Sequence, residues 1–318
     1  MSEITVTPIT VSETIGTEAI GAGTAGEAFA DALTACGVAP KDGDILVVSS
    51  KVVSLYEGGL IRLADVVPSR KARFLGRVFG KDPHKLQVLM ETGRVLLVVP
   101  LRWILSVPGM RGMMVERSPN PEAMLEGYRN INNFTFVVRA HATYLDEAGI
   151  DHTNSPDGYV TVLPPDPCAA ARKIREEIRD RFGAEVAVIV TDTVTCVGRI
   201  GSQDIAIGFS GIDPITRATF SDDLFGVPRS GGIDVVIDSI AGLAGLVMGQ
   251  TTERRPAVLV RGLDYAPERD DDTPGMAAVA MPAGWEWRVT LYTVLATLRF
   301  RLGSLLAVQR NPRRPDGW

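Results

Sequence analysis

The chain has few of the residues that soft-metal and redox sites need: three cysteines and three histidines in 318 residues, each far from the others. Cys36, Cys168 and Cys196 form no CxxC pair and leave an odd number. That argues against a disulfide scaffold or a zinc knuckle and fits a reducing compartment. His84, His141 and His152 are equally scattered, which argues against a His-rich metal site. An excess of positive charge is also missing, since 33 basic against 38 acidic residues leave a net charge of −5. This argues against a nucleic-acid partner. No GxxxxGK run followed by Ser or Thr is present, which excludes a P-loop, and the GxGxxG run Gly21–Gly26 does not directly follow a strand. The Gly21/Gly23 pair is too weak a signal to count. The longest apolar stretch, VLLVVPLRWIL, is broken by Pro100 and Arg102 well short of a membrane span. The first residues, MSEITVTPIT, hold no basic segment followed by an apolar core. A soluble, cytoplasmic protein with no membrane partner is therefore expected.

What is present is the balance of a globular protein, 45% hydrophobic and 22% charged, long enough for two domains or one large one. Ile4 to Ile9 alternates like a strand, and Glu27 to Cys36 reads as a helix. Asp42-Gly-Asp turns the chain into ILVVSSKVVS, a buried strand running into a small-residue turn. Residues 68–92 read as helical and RVLLVVP as a strand. Residues 104–133 carry Gly, Met, Pro and Asn without a clean period, so an inserted loop is expected there. FTFVVRAHATYL alternates like a strand, and YVTVLP is another. Asp166 caps a helix to about Phe182, after which VAVIVTDT is a buried strand ending in polar residues. DIAIGFSGI is a strand, Asp234 to Met248 a helix closed by Gly249, and AVLVRGL a strand. Strands alternating with helices predict an α/β class. Residues 1–265 are expected to form one catalytic domain, and 266–318 an extension with one helix and a frayed tail.

Three polar turns adjoin strongly apolar strands: Gly149-Ile-Asp151-His-Thr-Asn154-Ser-Pro, Val190-Thr-Asp192-Thr193, and Met248-Gly-Gln250-Thr-Thr-Glu253-Arg-Arg255-Pro. An aspartate at the end of a buried strand stands at the carboxyl edge, where such sheets bind ligands. Two carboxylates, a hydroxyl and an amide oxygen are the donors that a hard divalent cation such as Mg²⁺ or Mn²⁺ takes. Taken one at a time, each turn reads better as a cap or turn, with Asp151 closed by Asn154 and Ser155. The third turn reads as a phosphate cradle with two arginines, or as a helix C-cap at Gly249 followed by a solvated linker. Lys51 of Ser49-Ser-Lys51 reads equally as a phosphate contact and as a lysine reaching past the sheet edge to water. Cys196 has no histidine near it in sequence and is disfavoured as a nucleophile, and His152 reads as a solvated loop residue rather than a base.

In order and spacing these blocks resemble the coenzyme F420-0:L-glutamate ligase family, the gamma-glutamyl ligases of deazaflavin biosynthesis. The resemblance spans about residues 1–263: DGDILVVSSKVVS, GIDHTNSP with LPPDP, VAVIVTDT, DIAIGFSGI and LVMGQTTERRPAVLVRG, with Gly149 to Gly262 the most specific stretch. It implies a two-lobed mixed α/β ligase fold forming an intertwined homodimer. It also implies use of GTP with Mg²⁺ or Mn²⁺ at two sites, and K⁺ as a further candidate, to join L-glutamate to a deazaflavin or other carboxylic acid. Carried over, Asp151 and Asp192 are catalytic metal ligands, with Thr193 beside Asp192 and Gln250 on the second metal. Ser50, Lys51 and Asn154 would meet GTP, and Met248, Gly249, Gln250, Thr251, Thr252, Glu253, Arg254 and Arg255 would wrap it. A further nucleotide contact maps to Thr17, Glu18, Ala19 and Ile20.

Two departures stand out. Leu55 occupies a position where family members often carry lysine, and VTCVGRIGSQ replaces a Phe-Gly-Arg-Pro-Trp-Arg type segment, with Arg199 and Gln203 as partial substitutes. Three functional readings follow: the glutamate ligase, acting through an acyl phosphate; an amide ligase of the same fold for another carboxylic acid or amino acid; and a non-catalytic nucleotide- or metal-binding regulator.

Overall fold

The structure, a computed structural model, describes residues 3–12, 15, 22–130, 133–196, 201–216, 221–228, 233–269 and 275–282, with isolated positions between 285 and 298. Thr17–Ile20 and Arg199 lie outside the described residues. The chain divides into two compact units, Met1–Val279 and Ala280–Trp318. No described helix is long and apolar enough to cross a membrane.

The first unit is mixed α/β. Its main sheet has five strands: β1 (Thr5–Ile9), β2 (Ile45–Ser49), β8 (Ala187–Thr195), β9 (Ser202–Ser210) and β10 (Ala257–Arg261), in the order β1-β10-β2-β8-β9. Among these, β2 and β8 are the parallel pair, and the other neighbours run antiparallel. The central strands are apolar over Ile45–Val48, Ala187–Val190 and Ala257–Val260, as stretches covered on both faces must be, and their side chains divide by parity. Leu46, Val48, Val188, Val190 and Leu259 pack with helices α1 (Ala25–Ala35) and α8 (Pro167–Phe182). Ile45, Val47, Ala187, Ile189, Val258 and Val260 face the opposite way, onto α9 (Val236–Met248). The expected Asp166 cap is present, its Oδ1 accepting from Ala169 N on α8, and Thr24 and Glu27 close a capping box on α1.

A second core gathers around a three-stranded antiparallel sheet of β4 (Arg94–Val99), β5 (Thr135–Ala140) and β6 (Thr143–Asp146). It packs with α3 (Arg70–Phe79) and α4 (Pro83–Thr92). The single helix expected over 68–92 is thus two. Gly80, left-handed at φ 64°, ends the first, and Asp82 with Pro83 opens the second. The strand FTFVVRAHATYL is likewise a hairpin, turning where His141 and Ala142 take φ of 46° and 65°. A two-stranded pair, β3 (Leu60–Arg62) with β7 (Tyr159–Thr161), completes the sheets.

Two other expectations differ. Residues 104–133 contain short helices, namely the end of α5 (Leu101–Leu105), α6 (Met110–Arg117) and α7 (Pro121–Asn130). None of the residues of α5 and α6 is buried, so no apolar stripe marks them in the sequence. The small-residue turn after β2 is α2 (Ser50–Tyr56), a helix despite its β-branched Val52 and Val53 because both valines are buried against the main core.

Candidate active site

β2 ends at Ser49, which lies opposite Thr191 of β8, and β8 runs on to Thr195. One residue on, Ser50 Oγ donates to Asp192 Oδ1 at 2.9 Å, tying the start of α2 to the polar half of β8. Among the described residues no cation pairs with Asp192. Burial pushes its carboxyl from an ordinary 3.8 up to about 6, even though the Ser50 hydroxyl and the Thr193 N–H favour the anion. The Asp151 and Asp204 carboxylates add to the rise. A half-buried acid raised by desolvation is a common mark of a functional site.

Thr193 and Gln250 meet at a third carboxylate that the sequence did not single out. Asp204 stands opposite Thr193 in the β8–β9 register. It accepts from Thr193 Oγ1 at 2.6 Å and from Gln250 Nε2 at 3.2 Å, and is itself buried. Thr193 Oγ1 and Gln250 Oε1 lie 3.2 Å apart.

Asp151 arrives from another direction, on the turn leading into β7, where it bridges to Thr161 through two backbone hydrogen bonds. Its carboxylate accepts from Thr153 N at 2.8 Å and from Thr153 Oγ1. The turn-closing role is therefore present, with Thr153 rather than Asn154 as the partner. The same carboxylate is also paired with Lys51 Nζ, which donates to Thr153 O as well. Burial alone would raise the Asp151 carboxyl, but the Lys51 ammonium and the Thr153 hydrogen bonds outweigh it and hold it below the ordinary range. Lys51 thus points into the site.

The third turn closes the opposite wall. Gly249 caps α9 with φ 75°. A Cβ there would collide with the Glu253 carboxyl, which folds back to accept from Thr251 N at 2.8 Å and is held below its usual range by that bond. Pro256 O accepts from Ser49 N, anchoring the turn to β2. Arg254, left-handed at φ 54°, donates to Ser12 O at 2.8 Å, and Arg255 donates to Val247 O at 3.1 Å. Asn154 Nδ2 reaches Thr251 O at 3.4 Å, linking the first and third turns.

Together these elements line one cavity of about 790 Å³, a size suited to a nucleotide and a second small molecule. Ser50, Lys51, Asp151, Asn154, Asp192, Thr193 and the whole run from Met248 to Arg255 line it. Leu55 lines it too, buried against Leu60, Ile15, Tyr56 and Tyr159. Gln203 is exposed opposite Val194 and takes no part in the wall. Among the described residues no group of three or more His, Cys, Asp and Glu could hold a metal. Any cation here would rest on two carboxylates completed by neutral oxygens.

Residues 17–262 match the family model described as F420-0:Gamma-glutamyl ligase. The chain is 34% identical over 229 residues to a Coenzyme F420:L-glutamate ligase from Methanopyrus kandleri, covering 72% of this chain and 79% of that protein. Similar proteins of the same name occur in Archaeoglobus fulgidus, 33% identical over 229 residues, and in Methanothermobacter thermautotrophicus, 31% identical over 230. In both, the match again spans 72% of this chain and 79% of the relative. The matched stretch includes the ends of β2 and β8 and all three polar turns. The chain is a ligase and belongs to the F420-0:gamma-glutamyl ligase family.

Proposed function

We propose that this ligase joins L-glutamate to the carboxylate of coenzyme F420-0, consuming GTP, with Mg²⁺ or Mn²⁺ bound and an acyl phosphate as intermediate. The observation that carries the reading is the convergence of Asp151, Asp192, Thr193 and Gln250 with Lys51 and the Met248–Arg255 turn on one cavity. The oxygen donors fit a hard cation, and the half-buried Asp192 carboxylate, with no cation beside it among the described residues, would accept one. Asp151, Asp192, Thr193 and Gln250 would hold two divalent cations, with K⁺ as a further candidate. Bound there, the cations would neutralise charge on the phosphate oxygens during transfer.

A free carboxylate is a poor acylating agent. Attack of its oxygen on the γ-phosphorus forms the acyl phosphate and releases GDP. The glutamate amine then attacks the acyl carbon and phosphate leaves. Lys51 sits within reach of both the Asp151 carboxylate and the cavity, so its ammonium can steady phosphate oxygens as a point charge. Arg254 and Arg255 each use N–H donors on a backbone carbonyl and retain others for an anion. The Gly249–Arg255 turn supplies backbone N–H groups on the same wall.

The test is incubation with GTP, Mn²⁺, L-glutamate and F420-0, read by mass for added glutamate, with ATP in a parallel arm. A glutamylated product made only with nucleotide and metal supports the reading. A second reading, an amide ligase for another carboxylic acid, is favoured by Leu55, which presents an apolar side chain to the cavity. It predicts nucleotide turnover only with other acids. Nucleotide and Mn²⁺ binding without turnover of any acid would make the chain a regulator. A homodimer belongs to the same proposal and is tested by sedimentation.

A further inference from the structure

Asp204 has no place in the reading above, yet it holds two of the residues assigned to the cation. It is 7% exposed, and no cation pairs with it among the described residues. Thr193 Oγ1 carries one proton, and the 2.6 Å contact gives that proton to Asp204 Oδ1. Gln250 Nε2 turns toward both Asp204 oxygens, at 3.2 and 3.4 Å, so Gln250 Oε1 must turn away from them. The same hydroxyl is also within donating distance of Gln250 Oε1 at 3.2 Å, but the shorter contact to a charged carboxylate takes the single proton and leaves lone pairs on both Thr193 Oγ1 and Gln250 Oε1 facing each other. Two bare oxygens are badly placed beside each other unless a cation lies against both. Their spacing is that of neighbouring ligands around a hard cation bound at ~2.1 Å, which stand about 3 Å apart. The close approach of α9 keeps the carboxylate in place, because a Cβ on Gly245 would overlap Asp204 Oδ2.

We infer that Asp204 is a positioning residue, the anion that strips the donor hydrogens from the cation-facing side of Thr193 and Gln250 and so builds half of a divalent-cation site. This rests on the cation reading of the cavity. Outer partners of metal ligands typically change affinity about 10–100-fold when altered.

The experiment is calorimetric titration of Mn²⁺ into the full chain, with thermal unfolding alongside. Wild type is expected to bind Mn²⁺, and Asp204→Asn to bind it about 10–100-fold more weakly at near-native Tm. The amide at 204 sets its N–H₂ against that of Gln250 and turns the glutamine over. The double variant Asp204→Asn/Gln250→Glu exchanges the acid and the amide across the contact, restores a donor–acceptor match, and is expected to recover Mn²⁺ affinity. A purely structural role would move Tm and leave the exchange without effect. Wild-type affinity in Asp204→Asn overturns the inference while leaving the cation reading standing. Failure of wild type to bind Mn²⁺ overturns the cation reading itself. Failure of both variants to fold also overturns the inference, because a positioning role leaves the fold intact.

Discussion

Asp151 enters the cavity from a turn and carries its own cation, whereas Asp192 enters from the polar half of β8 and has none among the described residues. The Asp151 side chain is 41% exposed, sits on a hairpin-like turn, and is neutralised by Lys51. Asp192 extends the all-apolar Ala187–Val190 run, is stabilised by the Ser50 hydroxyl and a backbone N–H, and is pushed up to about 6 by burial. Two aspartates expected to play one role thus begin in opposite electrostatic states. The difference teaches which edge of the site is finished in the bare chain and which is held at a cost. At Asp151 an arriving cation must displace a lysine; at Asp192 it relieves an existing strain on the fold.

The largest effect should come from the unpaired side. Asp192→Asn keeps the acceptor for Ser50 and removes the charge. Turnover by the proposed reaction is expected to fall by about 10²–10³, the scale of losing one preorganised electrostatic contact in a catalytic site. Tm of the metal-free chain should rise by a few °C, because the variant no longer carries a partly desolvated anion without a cation among the described residues. Undiminished Mn²⁺-dependent activity would remove Asp192 from the site.

The same asymmetry sets a pH dependence. The folded carboxyl near 6 lies above the ordinary 3.8, so between those values the folded chain keeps a proton that the unfolded chain has released. Stability from this group is therefore complete below about pH 4 and is lost as pH rises through 6, by about 3 kcal/mol in all. Chemical denaturation of the metal-free chain from pH 4 to 7 should show this decline, and Asp192→Asn should flatten it. Asp151, whose carboxyl is lowered, works with the opposite sign: its contribution is present above 3.8 and is lost as pH falls further. A decline that survives in Asp192→Asn would assign it elsewhere.

Much of this contrast was legible before folding, and the part that was not has a physical reason. VAVIVTDT announces a buried strand that stops in polar residues, so Asp192 and Thr193 could be placed at a sheet edge from local pattern alone. Asp204 could not. It stands near the start of DIAIGFSGI, like any polar residue leading into a strand, and only the antiparallel pairing of β9 with β8 sets it opposite Thr193. Gly245 was silent for the same reason, since its lack of a side chain matters only because α9 lies on Asp204. Lys51 was ambiguous because its partner is 100 positions away in sequence. Helices α5 and α6 left no trace because exposed helices need no apolar stripe.

Gly245→Ala sharpens the comparison by disturbing one side only. In an open helix the change would gain about 1 kcal/mol. Here the new methyl meets the Asp204 carboxyl, and overpacking of this kind costs about 1–3 kcal/mol. The expected net result is a Tm lowered by a few °C and weaker Mn²⁺ binding, with nucleotide affinity, which draws on Lys51, unchanged. An alanine that raises Tm and leaves Mn²⁺ affinity intact would mean that α9 does not hold Asp204 in place.

The smallest effect should appear at the paired side, and it carries opposite signs for the two ligands. Lys51→Met removes the ammonium from Asp151 while keeping the length of the side chain. In the absence of nucleotide, the freed carboxylate no longer exchanges a lysine for a metal. Mn²⁺ should then bind about 3–5-fold more tightly, the scale of a partly exposed ion pair worth up to about 1 kcal/mol. In the presence of GTP the same variant lacks a phosphate contact, so nucleotide should bind more weakly by a similar or larger factor. A residue that merely packs against the turn would weaken both ligands together, and one that only contacts phosphate would leave Mn²⁺ alone unaffected. Paired titrations of Mn²⁺ and GTP into wild type and variant separate these cases. Only opposite shifts would show that Lys51 stands in for a cation at Asp151 until the nucleotide draws it away.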